Sequence, residues 1–544
     1  MRVCHKAHIL LLFTPISRMK HLNPIALVIL GITVFCVSET HLEMAYVIQN
    51  YWTGLCVTLM LSLFLVSHYL RHPIPFPQNK ILKTFCLIGF LEVLYATVQL
   101  FGFLPNNYQY ACFSGSLNNP AIFGMLLSFC IPISIFFYQK TAGKEKYIWQ
   151  SLNVIFTVFI ILSNSRTAFI AACCGTFLIL FMINRESFTL ILKKKKTTVI
   201  VVVCTIITLV ALYFYKQDSA DGRILIWNVC IDMIKEKPLF GWGIDGFAAQ
   251  YMNYQAEYFN SHPESSLTLL ADETKNPFNE FIHISLLFGI PCALLFLGII
   301  IWSMWYIHHT RMEYSPVLFS IVFVLFVWCM FSYPLDIPFV WLIILFIVLS
   351  IITVKKDKTY TPSSKFYCTF VLFMSAFTLY LLARNGIRDI RRVYLQEHAI
   401  SSSKDQNQIF EEYETMYNEF SNDGLFLYNY AAMLHLYGFH EKSIKIFDKC
   451  STYINDYNMM LLMGDNYQQM SIPDSAIIYY ERASDMIPNR FLPLYYQMVV
   501  YQEQGDYDKA QEIAKTIIHK KNKIKDSKTV KEIIKRANEC LNHQ

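Results

Sequence analysis

Charged side chains are scarce in this chain. Asp, Glu, Lys and Arg make up 16% of its 544 residues, against 54% for the hydrophobic types. That balance excludes an ordinary soluble protein of this length. Metal-ligand spacing of Cys and His is also lacking, so neither a metal nor a cofactor is expected. The fifteen cysteines make no disulfide framework. Cys56, Cys130, Cys173, Cys174 and Cys329 sit inside apolar runs, where they act as small apolar residues. Cys112, Cys230, Cys450 and Cys540 are too scattered to pair. Lys and Arg are missing from three short loops, near 39–50, 102–119 and 334–338.

What is present is a series of apolar runs close to bilayer length. They predict an all-α, polytopic membrane bundle of about eleven spans. These lie near 22–38, 51–70, 81–101, 120–138, 148–163, 166–184, 197–214, 280–306, 315–333, 335–353 and 366–383. His8–Ile16 is too short to span and only weakly resembles a signal peptide, and Met19 is an alternative start. Basic residues crowd alternate loops: Arg71 and Lys80; Lys140, Lys144 and Lys146; Arg185 with Lys193–Lys196; Arg311; Lys355, Lys356, Lys358 and Lys365. The positive-inside rule makes these loops and the N-terminus cytoplasmic. The run Lys193–Lys196 is then a topology anchor, and no nucleic acid is expected as a partner. An odd number of spans leaves the C-terminal region outside.

The chain divides linearly into a membrane domain, 1–383, and a polar helical region, 384–544. The membrane domain includes a large external loop, 215–277. The C-terminal region repeats itself: GFHEKSIKIFDKC from Gly438, SIPDSAIIYYERA from Ser471 and GDYDKAQEIAKTI from Gly505 are spaced by 33 and 34 residues. Each has a small residue (Ser443, Ala476, Ala510) at a matching position, and each follows another helix. That period resembles tetratricopeptide repeats and predicts an α-solenoid. The segment 404–420 supplies a leading helix, and Ser527–Leu541 a closing one.

Two arginines stand out. Arg166, in SNSRTAFIAA, lies between apolar runs, where charge is costly and tends to be functional. The small residues Ala168, Ala171, Ala172 and Gly175 beyond it form a face for close helix packing. Arg223, in DSADGRILIWNVCIDMIKEKP, falls in the first turn of a helix capped by Asp218, Ser219 or Asp221 and ended by Pro238. A cation beside a helix N-terminus suits an anion. The competing readings are a snorkelling Arg166 and an exposed Arg223 paired with Asp221. Trp227, one turn on, packs the helix or supports the site.

FGWGIDGF matches GxGxxG through Gly241, Gly243 and Gly246, but without a preceding strand it reads as a tight returning loop. In NPFNEFIHISLLFGIP, Asn276, Asn279, Glu280 and His283 recur at helical spacing and would share a face. Glu280 or His283 is the candidate to deprotonate an acceptor hydroxyl. The plainer reading is a polar helix start.

These pieces occur in one order. SRTA after an apolar run, Arg then Trp one turn apart, KPLFGWGIDGF and NEFIHISLLFGIP resemble the O-antigen ligase superfamily. So do SLNNPAIFGMLL, FSYPLDIPFVW and, in the repeats, YNYAAMLHLYG, MGDNYQQM and MIPNRFLPLYYQ. The resemblance runs from about Ser114 onward. It implies an inverting, metal-independent glycan transferase of the bacterial inner membrane. Its donor would be a glycan on undecaprenyl pyrophosphate, and its acceptor a hydroxyl of lipid A core, of another glycan or of a protein. Arg166 and Arg223 would hold the pyrophosphate, with Asn279 and Trp227 as support. The C-terminal region would be periplasmic and could engage a protein partner through its repeats. Many members have a histidine just before the Asn of the NE motif. Here that residue is Phe278, so Glu280, or else His283, would replace it. An O-antigen polymerase and a protein O-oligosaccharyltransferase are the nearest alternatives, and a non-catalytic membrane scaffold is one of a different class.

Overall fold

The computed structural model describes residues 42–69, 76–106, 108, 111–186, 195–310, 312–353, 364–401, 406–521, 523 and 527–542. Among them the secondary structure is helical throughout, with no strand. The chain forms two compact units. One takes residues 1–204 and 298–394, the other 205–297 and 395–544. This grouping differs from the linear division at 383/384, because the external loop joins the C-terminal region.

The first unit contains α1 (Leu42–Tyr69), α2 (Gln78–Leu100), α3 (Pro120–Lys140), α4 (Gly143–Leu162) and α5 (Arg166–Ile183). The sequence-predicted span 22–38 lies outside the described residues. Helix α3 is the buried centre, packed against α2, α4 and α5. Asn119 caps it by accepting from the Ala121 amide at 2.9 Å, and Pro120 suits the first turn. Two buried side chains of α2 hold the loop before α3. Gln99 accepts from the amides of Ser114 and Gly115 (3.1 and 2.9 Å), and Glu92 accepts from the Ser116 amide (3.0 Å) and hydroxyl.

By length and composition, six helical segments among the described residues can cross a bilayer: Tyr46–Ser67, Gln78–Leu100, Pro120–Lys140, Arg166–Ile183, Ile290–Thr310 and Thr369–Glu397. Ile206–Tyr215, Ser315–Phe331 and Pro338–Ile352 are shorter apolar helices. The 148–163 run is not among the six, since its helix begins earlier, at Gly143, and takes in Lys144, Glu145 and Lys146.

The predicted span 280–306 is not one helix. It is α9 (Glu280–Phe288) followed by α10 (Ile290–Thr310), broken at Gly289, whose φ is 89°. The break is imposed by a segment distant in sequence. The 238–243 turn takes over backbone groups there: the amides of Trp242 and Gly243 donate to the carbonyls of Leu286 (2.7 Å) and Leu287 (3.0 Å), and Ile290 donates to Pro238 (2.8 Å). FGWGIDGF is thus a tight returning loop. Gly241 has φ 67°, and a Cβ there would lie 2.5 Å from the Leu286 carbonyl oxygen.

The second unit joins α7 (Gln217–Glu236), α8 (Gly246–Ser261) and α9 to a run of consecutive helices. After α14 (Gln406–Phe420) these are α15 (Gly424–Leu436), α16 (His440–Cys450), α17 (Tyr457–Gln469), α18 (Pro473–Met486), α19 (Leu492–Glu503), α20 (Tyr507–His519) and α21 (Lys528–Asn542). Each packs on its successor from α15 onward. The matching small residues Ser443, Ala476 and Ala510 are fully buried at the helix crossings. One apolar core runs from the loop into the repeats. It contains Val229 and Met233 of α7, Tyr251 and Phe259 of α8, and Tyr430, Phe447, Met463 and Met486 of the repeat helices.

Candidate active site

Arg166 is the first residue of α5. Asn164, at φ 55°, turns the chain, and Ser165 caps the helix by accepting from the Ala168 amide at 3.3 Å. Ala168, Ala171, Ala172 and Gly175 are buried, as the small-residue face predicts. A Cβ on Gly175 would sit 2.7 Å from Val324, in α11 (Ser315–Phe331), so close approach of the two helices requires the glycine. Arg166 itself stays half-buried at the edge of that face.

Arg223 is not in a first turn. Helix α7 begins at Gln217, without a side-chain cap, which puts Arg223 nearly two turns inside. Asp221, one of the expected caps, accepts instead from the Tyr213 hydroxyl at 2.7 Å and the Gln217 amide nitrogen at 3.2 Å. The helix-dipole argument therefore does not apply to Arg223. Its surroundings single it out in another way. Its guanidinium lies over the Phe278 ring, 5.3 Å from the centroid. Trp227, one turn on, donates its indole N–H to the Pro277 carbonyl at 2.9 Å. Arg223 and Trp227 thus hold consecutive residues of the loop entering α9.

Phe278 has φ 51°, a left-handed conformation costly for a residue with a bulky side chain. The turn that carries it is tied down. Thr274 donates to the Asn276 carbonyl at 2.9 Å, and Asn276 accepts from the Phe278 amide at 3.4 Å. Asn279 then caps α9, accepting from Phe281 and Ile282 at 2.9 and 3.1 Å. Asn276 lies outside the helix and does not share a face with Glu280 and His283. Glu280 is 2% exposed, with a carboxylate oxygen 3.8 Å from His283 Nδ1.

A cavity of about 290 Å³ opens beside Arg223. Its polar walls are Ser219, Arg223, Gln255, Asp272, Glu273 and Thr274, with Phe278 at one side. Among the described residues that line it, Glu280 and His283 are absent. Glu273 was not singled out by any motif. Partial burial, reinforced by the charge of Asp456, raises its carboxyl pKa from the ordinary value. Asp272 is paired with Arg490 at 2.8 Å. The cavity thus combines a guanidinium, two carboxyls, one of them of raised pKa and the other paired with Arg490, an amide, two hydroxyls and an aromatic face, groups that can hold a hydroxyl-rich ligand with its anionic part at Arg223.

Residues 152–297 match the family model described as O-antigen ligase. This segment is similar to an O-antigen ligase domain. It spans Arg166, Arg223, the returning loop and the NE motif, and so covers the ordered motifs between SRTA and α9. A comparison with curated proteins finds no significant match. The family match, with six helical segments among the described residues long and apolar enough to cross a bilayer, supports a multi-pass membrane protein with a glycan ligase or polymerase role. Among the described residues no group of His, Cys, Asp and Glu has the arrangement of a metal site.

Proposed function

We propose that the chain is a glycan ligase, transferring an oligo- or polysaccharide from a polyprenyl pyrophosphate carrier to a hydroxyl acceptor such as lipid A core. The observation that carries this reading is the Arg223 cavity inside the matched ligase domain. A leaving pyrophosphate gains charge as the glycosidic bond breaks, and a fixed guanidinium stabilises that charge. Arg223 supplies it, oriented by Phe278 and, through the Pro277 carbonyl, by Trp227. Arg166 keeps the pyrophosphate-binding role that the SRTA motif implies. The reaction is inverting and needs no metal: the acceptor oxygen attacks the anomeric carbon, and the bonding pair leaves with the pyrophosphate oxygen.

The acceptor's proton goes to Glu273 rather than to Glu280 or His283. Glu273 shares a cavity with Arg223, and its raised pKa makes it a stronger base than an ordinary carboxylate. Glu280 is buried against His283 and supports the start of α9. The basic loops support an inner-membrane topology with the C-terminal repeats, tetratricopeptide-like in period, in the periplasm. In a deletion strain, loss of a ligase leaves carrier-linked polymer beside short lipid A core, and plasmid-borne wild type restores the long form. Single-unit chains would point to a polymerase, and stripped proteins to an oligosaccharyltransferase. Restoration by Arg223→Ala as complete as by wild type would remove the cavity from the mechanism.

A further inference from the structure

The turn between α18 and α19 grips the segment that walls the Arg223 cavity. Asn489 is 6% exposed, and its Nδ2 faces three carbonyls of the loop: Ala271 at 2.6 Å, Thr268 at 3.1 Å and Leu269 at 3.3 Å. The next residue, Arg490, pairs with Asp272 at 2.8 Å, and Lys523 stands 3.7 Å from the other oxygen of that carboxylate. Asn458, in α17, donates to Glu273 at 3.4 Å. From behind, the cavity-lining Gln255 donates to the Met486 carbonyl at 2.7 Å and to the Asp272 carbonyl at 3.4 Å.

These bonds share one target. The strip 268–273 has no regular ladder of its own beyond a single 3-10 turn, Ser266–Leu270. Apart from that of Thr268, which also accepts from the Ala271 amide at 3.3 Å, its carbonyls need outside donors. The repeat region supplies them at Thr268, Leu269 and Ala271, and adds side-chain partners at Asp272 and Glu273. Only a donor suits the Asn489 position, because a carboxylate there would face three carbonyl oxygens.

We propose that Asn489 and Arg490 are positioning residues of the glycan-transfer site, so that the repeats hold the cavity wall 271–273 in its working geometry. This rests on the Arg223 cavity being the donor site. The repeat region then does more than offer a surface for a partner. It keeps the wall opposite Arg223 in place before substrate arrives, which removes an ordering cost from binding.

The full-length protein in lipid nanodiscs provides the test, with farnesyl pyrophosphate as donor probe and hydrogen exchange as a local readout. Asn489→Asp should speed amide exchange in 266–274 while leaving 507–542 unchanged, and should weaken probe binding roughly tenfold. Arg490→Gln should do the same to a smaller extent, and Arg490→Lys should restore binding. If Asn489→Asp fails to fold, the Arg490 pair of variants decides. Unchanged probe affinity in folded Arg490→Gln, or equal behaviour of the Gln and Lys variants, overturns the proposal. Arg223→Ala separates the two readings. Full probe affinity in that variant means that the cavity is not the donor site, whatever the repeats do to the wall.

Discussion

The Arg223 guanidinium stands over the face of Phe278, the residue just before the Asn of the NE motif. The contact fixes the cation that lines the cavity among the described residues, and it does so from a residue in a strained backbone conformation. A contact of this type is worth about 0.5–1 kcal/mol at a partly exposed site. Phe278→Ala should therefore weaken farnesyl pyrophosphate binding a few-fold. Arg223→Ala removes charge-assisted bonds of about 1.5–3 kcal/mol and should weaken it by roughly one to two powers of ten. Calorimetric titration of both variants checks the order, and an effect of Phe278→Ala larger than that of Arg223→Ala would contradict it.

Glu273 gives a pH signature. Its folded pKa is raised, first by burial and then by Asp456. Transfer needs the carboxylate, so activity should fall as pH drops through a value above the ordinary glutamate range of about 4.3. Glu273→Gln should lose transfer at every pH while keeping probe affinity. Glu280→Gln and His283→Ala should lower thermal stability without moving the acidic limb. The pH–rate profiles of the three variants distinguish the bases, and a displaced limb in Glu280→Gln would reassign the role to that pair.

The returning loop depends on two glycines. A Cβ at Gly289 would sit 2.1 Å from the Leu239 carbonyl oxygen, and its φ of 89° already disfavours a side chain. Gly289→Ala should cost at least about 1–3 kcal/mol from backbone strain, before the clash is counted. Gly241→Ala should behave alike, and Gly298→Ala, where a Cβ meets no neighbour, should be neutral. Thermal melts in detergent measure all three.

The repeats contain a second titrating group. His435 Nδ1 and His440 Nδ1 both approach Asn466 Oδ1, at 3.0 and 2.8 Å, and His435 Nε2 lies 3.3 Å from Asp465. Asp465 raises the His435 pKa from 6.5, while the same contact lowers that of Asp465. A raised histidine stabilises the fold fully below its unfolded pKa and stops doing so as pH rises through the folded value. The lowered aspartate contributes above its unfolded pKa and loses that contribution as pH falls through its folded one. The pair should therefore be most stabilising in the window between. His435→Gln should flatten the dependence of the melting temperature on pH above the ordinary histidine value of about 6.5.

The helices were legible because apolar runs and 33–34-residue spacing are local signals. The small face after Arg166 was legible for the same reason, since Ala168, Ala171 and Ala172 recur at helical intervals. What escaped was set by distant partners. The break at Gly289 depends on amides from 242 and 243 reaching the carbonyls of 286 and 287. Asp218, Ser219 and Asp221 look like caps and predict a first-turn Arg223, yet α7 starts at Gln217 and Asp221 bonds Tyr213 instead. Glu273 carries no motif. It becomes prominent only where the fold brings it to Arg223's cavity.

The shared core of loop and repeats also bears on how the protein is made. Val229 and Tyr251 are synthesised long before Tyr430, Phe447 and Met486, with the residues of four predicted spans translated in between. Until the C-terminal helices emerge, the loop helices have only one another to pack on, and the rest of their apolar surface stays uncovered. Its maturation is then a late event of biogenesis, dependent on contacts of very large sequence separation. A chain cut short after the last span would carry an intact motif set on a half-built loop, and quality-control proteases would meet it as unfolded protein.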